Sequence, residues 1–138
     1  GEISFPGGAK DPQDNDFLVT ALRETEEEMG IDRGEITILG ELDDIATSSR
    51  FRVKVFVGVC SNPPQFKPSP VEIAEVLEVP ITSLRDRANL RAETRWEDGA
   101  PVTTYSYAFG EHLIFGATAR ILRQYLELSE DGRGKEEH

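Results

Sequence analysis

The period of apolar and polar positions changes several times along this chain, and the changes outline its elements. "EISF" is a short strand candidate closed by Pro6, Gly7 and Gly8. Turn-forming residues continue through "AKDPQDND", which offers Asp14, Asn15 or Asp16 as a helix N-cap. From Leu18 onward the spacing is helical. At about 100° per residue, Ala21, Leu22, Thr25 and Met29 fall within roughly 60° of Leu18 and form the expected core face. Gly30 supplies the stop. "EITILGEL" and "RFRVKVFVGVC" are rich in β-branched and aromatic residues and read as strands, with "DDIATSS" a loop between them.

"SNPPQFKPSP" carries four prolines and reads as a loop within one domain. "EIAEVLEVPI" reads as a strand with imperfect alternation, and "LRAETRW" and "VTTYSYAFG" flank "EDGAP" as a hairpin. Tyr105, Tyr107 and Phe109 alternate, so they share one sheet face. "LIFGATARILRQYLEL" closes the pattern as an amphipathic helix, and the charged "SEDGRGKEEH" reads as a mobile tail. Helices and strands interleave, which predicts an α/β or α+β sandwich with a mixed sheet. The expected organisation is one domain over residues 1–128 and a disordered acidic tail over 129–138. The chain runs from Gly1 straight into a strand already under way, so strand material is expected before it.

Charge narrows the partners. A formal net charge of -11 argues against nucleic acid and anionic membrane, which reward clustered Lys and Arg, and favours a cation or something carried by one. Cys60 is the only cysteine, so neither an internal disulfide nor a cysteine-rich zinc site is available, and a reducing, cytoplasmic setting is expected. No stretch approaches the roughly 18 apolar residues of a membrane span, and no signal peptide opens the chain.

The candidate chemistry lies in the first helix. Glu24, Glu26, Glu27 and Glu28 crowd four carboxylates into its last turns, where the macrodipole favours cations. Glu24, Glu27 and Glu28 share an arc of about 100° opposite the core face and can converge on one point. Arg23 lies at the edge of that arc, placed to neutralise or orient a carboxylate. Glu26 faces elsewhere. A solvated acidic face costs only a few tenths of a kcal/mol per like-charged pair. Two carboxylates about 4 Å apart repel by up to about 4 kcal/mol at an effective dielectric of 20, and a divalent cation turns that repulsion into shared attraction. Oxygen donors of this kind suit a hard ion such as Mg²⁺. A calcium EF-hand from Asp11 fails, because Asp16 stands where glycine is needed and Leu22 where glutamate is needed.

Gly8, Arg23, Glu24, Glu27, Glu28, Gly30 and Ile31 closely resemble the Nudix box, G-x5-E-x7-R-E-U-x-E-E-x-G-U, with U aliphatic. Two departures stand out. The first glutamate is replaced, with Asp14 one residue too far from Arg23, and Thr25 occupies an aliphatic position. "FPGGAKDPQD" followed by "TALRETEEE", with "GELDD" and "GATARIL" further on, resembles the coenzyme A pyrophosphatase branch of that family. The resemblance implies a Nudix-like α/β/α sandwich and Mg²⁺- or Mn²⁺-dependent hydrolysis of a diphosphate. For coenzyme A or acyl-CoA the products would be 3',5'-ADP and 4'-phosphopantetheine.

The alternatives are ADP-ribose, a dinucleotide or a nucleoside triphosphate as substrate, or a non-catalytic nucleotide-sensing module. By the same resemblance Glu24, Glu27 and Glu28 hold the metal with the carbonyl of Gly8 or Gly7, and Arg23 orients Glu27. Glu24 is the helix candidate for general base, with Glu72 and Glu75 as later-segment candidates. Arg50 and Arg52, with Lys54, are candidate phosphate contacts, and Phe51 or Phe66 could stack on a base. His112 and His138 carry no catalytic signal, nor does Trp96. A homodimer is the family-level expectation.

Overall fold

The computed structural model describes residues 3–46 and 52–136, with side chains through Ser129. The chain divides into two compact units, Ser4–Leu77 and the residues from Glu78 onward together with Ile3.

In the first unit, helix α1 spans Phe17–Met29. Of the three N-cap candidates the structure selects Asp16, whose carboxylate accepts the Val19 N–H at 2.9 Å. Gly30 ends the helix at φ 71°, and its N–H returns to the Glu26 carbonyl. A 3-10 turn at Arg33–Glu35 leads into β1 (Ile36–Glu41), which pairs antiparallel with β4 (Phe56–Cys60). The register slips between Ile38 and Gly40, and the intervening Leu39 is exposed. Strands β2 (Ile45–Ala46) and β3 (Arg52–Val53) make a short second pair.

The proline-rich loop has a structural task. Lys67 N–H donates to the Met29 carbonyl at 2.9 Å, and Ser69 N–H to the Glu28 carbonyl at 3.0 Å. Main chain thus satisfies terminal carbonyls of α1, whose last turn carries no basic residue.

In the second unit, α2 (Ile81–Arg85) and a 3-10 turn at Arg87–Asn89 precede a three-stranded antiparallel sheet. Its order is β5 (Leu90–Glu97), β6 (Ala100–Phe109), β7 (His112–Ile114). The expected hairpin is present, turning on Asp98 and Gly99 at φ 50° and 79°, the positive angles that match the twist of the strands. Helix α3 runs Gly116–Glu136. Leu84, Tyr107, Ile114, Ala119 and Leu126 form the core here, with Ile3, Leu90, Leu122 and Tyr125 packed against it. Tyr107 is deeply buried, and Tyr105 on the same face stacks under the Arg123 guanidinium, 3.7 Å from its ring centroid.

The α/β class stands, with corrections to its parts. "EIAEVLEVPI" forms no strand; Ile73 N–H turns back to the Ser69 carbonyl at 2.8 Å, and burial at 73, 76, 77 and 79 follows no period of two. The described part of "EISF" is not a strand either, and the Ile3 carbonyl instead accepts the Thr118 hydroxyl at 2.9 Å. With neither segment in a sheet, every strand pair among the described residues is antiparallel, in three small sheets where a mixed one was expected. His112–Ile114, read as helix in part, is strand because the turn at Gly110 returns it to β6, with Ile114 opposite Tyr107. No helix among the described residues is long and apolar enough to cross a membrane.

Candidate active site

The most buried residue of α1 is Thr20, which lies on the same side of the wheel as the glutamates and not on the expected core face. What covers it is the segment after the double glycine. Asp11 and Asp14 close a turn in which the Asp14 N–H donates to the Asp11 carbonyl and the Asp14 carboxylate accepts the Asp11 N–H, both at 3.0 Å. Asp14 is 5 % exposed and takes the Thr20 hydroxyl at 2.9 Å. Leu18, Ala21, Leu22, Thr25 and Met29 are only half-buried. The Thr25 hydroxyl donates to the Ala21 carbonyl at 2.7 Å, which lets a polar residue stand at an aliphatic position.

Arg23 is the hub of this surface. Its Nε and Nη2 donate to Asp14 at 3.1 Å each, and Nη2 also reaches the Ala9 carbonyl at 3.3 Å and the Asp11 carboxylate at 3.5 Å. Its Nη1 donates to Glu24 Oε1 and to Glu27 Oε2, both at 3.1 Å. One guanidinium thus ties the loop to two of the three glutamates. The hydrogen bonds from Arg23, then the Asp11 N–H, hold the Asp14 carboxyl at about 2, and Asp14 in turn raises the Arg23 pKa. The pairing was legible only in part: the D-P-x-D spacing marked Asp14, but counting residues to Arg23 placed it one position out. The Asp14 side chain, held in its turn by the Asp11 N–H, reaches Arg23 across that offset.

Glu28 faces a different environment. Its Oε2 accepts the Gly7 N–H at 3.0 Å. Burial raises its pKa, the Gly7 bond lowers it, and the charges of Glu24, Glu72 and Glu27 raise it further. Glu72 therefore belongs to this acidic surface. Gly8 lies against Glu24: a Cβ there would stand 2.5 Å from Oε1 and 2.7 Å from Cδ. Gly7 has open space where a side chain would go. Glu26, as expected, faces away, paired with Arg33 at 3.0 Å, and its pKa is lowered by that bond.

The expected convergence of Glu24, Glu27 and Glu28 is not the arrangement seen. Among the described residues no three His, Cys, Asp or Glu side chains are grouped to hold a metal ion. The physical reason is visible in the partners: Glu24 and Glu27 turn to Arg23, and Glu28 turns to the Gly7 amide. The donor set nonetheless fits a hard divalent cation. All the candidates are carboxylate oxygens, Glu28 is repelled by its acidic neighbours, and their i, i+3, i+4 spacing leaves only side-chain rotation between this arrangement and a shared ligand.

Arg52 is exposed on β3 with Asp44 3.9 Å away, and no bond of the Arg23 hub includes it. Lys54 lies 3.6 Å from Asp44 and 3.8 Å from Glu41, so these cations sit beside acids at the end of β1 and in the loop that follows it. Arg50, Phe51 and His138 lie outside the described residues. Phe66 and His112 are half-buried, and Trp96 is exposed. A cavity of about 640 Å³ lies beside Gly30, Asp32 and the proline loop, and one of about 250 Å³ is walled by Phe17, Lys54 and Phe56. Glu24, Glu27 and Glu28 line neither.

Comparison with known proteins adds an independent line. Residues 1–123 match the NUDIX domain model. Proteins bearing the name Uncharacterized Nudix hydrolase NudL are similar to this chain. The one from Photorhabdus laumondii subsp. laumondii is 33% identical over 124 residues, covering 90% of this chain and 66% of its own length. Those from Yersinia enterocolitica and Yersinia pestis are 34% and 31% identical, over 90% and 89% of this chain and 64% and 62% of theirs. The chain thus spans just under two thirds of the relatives it matches.

Proposed function

We propose, since this chain belongs to the NUDIX domain family, that it is a divalent-metal-dependent hydrolase of a nucleoside-diphosphate-linked small molecule, and that this molecule is coenzyme A or an acyl-CoA, cleaved to 3',5'-ADP and 4'-phosphopantetheine. The observation that carries the reading is the single guanidinium of Arg23 holding Asp14, Glu24 and Glu27 together on the face that also bears Glu28. The coenzyme A assignment is supported by the D-P-x-D element, which is folded onto Arg23 where the box has its first glutamate.

Glu24, Glu27 and Glu28, with the carbonyl of Gly8, would hold Mg²⁺ or Mn²⁺. A divalent ion, when bound, lowers the pKa of water and offsets negative charge growing on phosphate oxygens. The chain's own residues prepare for that charge. Asp14 stays ionised to about pH 2 and fixes Arg23, which in turn sets the rotamers of Glu24 and Glu27. The Gly7 amide fixes Glu28. The missing side chain at Gly8 lets Glu24 lie against the main chain. Glu24 and Glu72 are the carboxylates placed to take a proton on this surface, Glu72 being the later-segment acid whose charge acts on Glu28. Arg50 and Arg52 are kept as phosphate contacts of the substrate, and the setting is cytoplasmic.

Product analysis with coenzyme A and Mg²⁺ or Mn²⁺, comparing the protein with Glu27→Gln, tests this. The expected result is 3',5'-ADP formation that Glu27→Gln largely abolishes with the fold intact. A clear preference for ADP-ribose, a dinucleotide or a nucleoside triphosphate would replace the substrate. Unchanged turnover in the variant would remove the metal role, and binding without turnover at any divalent metal would leave a sensing module.

A further inference from the structure

The two donors that the proline-rich loop sends to the end of α1 are two residues apart. Lys67 N–H reaches the Met29 carbonyl at 2.9 Å and Ser69 N–H the Glu28 carbonyl at 3.0 Å. An N–H between them would point away from the helix, and the residue there is Pro68, which has none. Pro70 follows Ser69 and narrows the freedom of the chain on its other side.

Gly30 belongs to the same fit. A Cβ there would stand 2.6 Å from both the Cβ and the carbonyl oxygen of Lys67, and 3.0 Å from its Cα. The loop main chain therefore fills the space a side chain would take, at a residue whose φ of 71° already favours glycine. Beyond Ser69 the chain closes one more turn, with Ile73 N–H donating to the Ser69 carbonyl at 2.8 Å. Ser69 is thus fixed from both sides, and Glu72 lies inside the turn that it anchors.

We infer that this clasp is a positioning device, in which the Ser69 N–H, seated on the Glu28 carbonyl, holds the turn that brings the Glu72 carboxylate to the Glu28 side chain. The charge of Glu72 is indeed among those that raise the Glu28 carboxyl. Two such carboxylates repel each other, so an unrestrained turn would swing Glu72 away. The clasp opposes that motion and keeps a second negative charge in place for a cation to join. Its bearing on hydrolysis rests on the function proposed above; the positioning itself does not.

Two double-mutant cycles on the full chain test this, each combining Ser69→Pro, which deletes the N–H, with Glu72→Gln, which deletes the charge. In chelator at pH 7 and low salt, Glu72→Gln relieves the repulsion and should raise the melting temperature of the parent by about 1 °C or more. With Ser69→Pro present it should change nothing, because the carboxylate has already moved off. In the second cycle Mn²⁺ binding is read from the paramagnetic signal of the free ion. Each single variant should bind about tenfold more weakly, and the double variant no more weakly than either. Ser69→Ala is the conservative variant; it keeps the N–H and should follow the parent in both cycles.

A melting temperature that responds to Glu72→Gln equally in both backgrounds, or in neither, overturns the inference. So do Mn²⁺ losses that add in the double variant, or a Ser69→Ala chain that behaves as Ser69→Pro does. A parent that binds no Mn²⁺, with the chelator cycle still coupled, removes the metal role of the acidic surface and upholds the positioning.

Discussion

Asp14 and Arg23 face each other through two 3.1 Å hydrogen bonds, one from Nε and one from Nη2, with Asp14 almost fully buried beneath them. This pair joins the loop after the double glycine to the helix that carries the glutamates. The same guanidinium reaches Glu24 and Glu27 with its remaining nitrogen. Arg23 therefore orders the acidic surface from below.

Acid should reveal the pair. Asp14 has its carboxyl lowered from 3.8 to about 2 by the Arg23 hydrogen bonds. A depressed carboxyl stabilises the fold above its unfolded value, so the contribution is intact above about pH 4 and fades as pH falls toward 2. Asp14→Asn should melt below the parent at pH 7, and the two melting temperatures should converge in that acid window.

The guanidinium fork should not be replaceable by an ammonium. Lysine keeps the charge but cannot serve Asp14, Glu24 and Glu27 at once. Arg23→Lys is expected to lower turnover about 10–100-fold, the range for losing a group that orients metal ligands. Metal titration of the rate should show weaker apparent affinity; unchanged affinity and rate together would confine Arg23 to a structural role.

Gly8 and Gly7 make a paired test. Gly8→Ala puts a methyl 2.5 Å from Glu24 Oε1, the end of a flexible side chain that moves aside cheaply. Stability should change by less than about 1 kcal/mol, while activity falls about 10–100-fold because Glu24 is displaced. Gly7→Ala meets nothing within 4 Å and keeps its N–H for Glu28, so it should stay near the parent in both measurements.

Glu28 should behave oppositely with and without metal. Its pKa is raised above 4.5, chiefly by burial, so its charged form opposes folding once pH rises through and beyond that range. Glu28→Gln is therefore expected to melt higher than the parent at pH 7 in chelator. Added Mg²⁺ should stabilise the parent and not the variant. The opposite order in chelator would contradict the raised pKa.

What the sequence determined by itself was local. A helix cap among Asp14, Asn15 and Asp16, the left-handed Gly30 stop and the Asp98–Gly99 turn rest on the backbone preferences of single residues, and the period of β5 and β6 on pairs two apart; which of the three caps the helix was settled by the fold. The spacing of Glu24, Glu27 and Glu28 follows from helix pitch alone. Tertiary structure decided the rest, because it depends on which distant groups compete for each polar atom. The loop over Thr20 put the most buried residue of α1 on its glutamate side, and Arg23 drew two glutamates to itself. Main chain from Lys67 and Ser69, not a cation, satisfied the end of the helix. "EIAEVLEVPI" kept strand composition without a partner strand, and a strand exists only where another pairs with it.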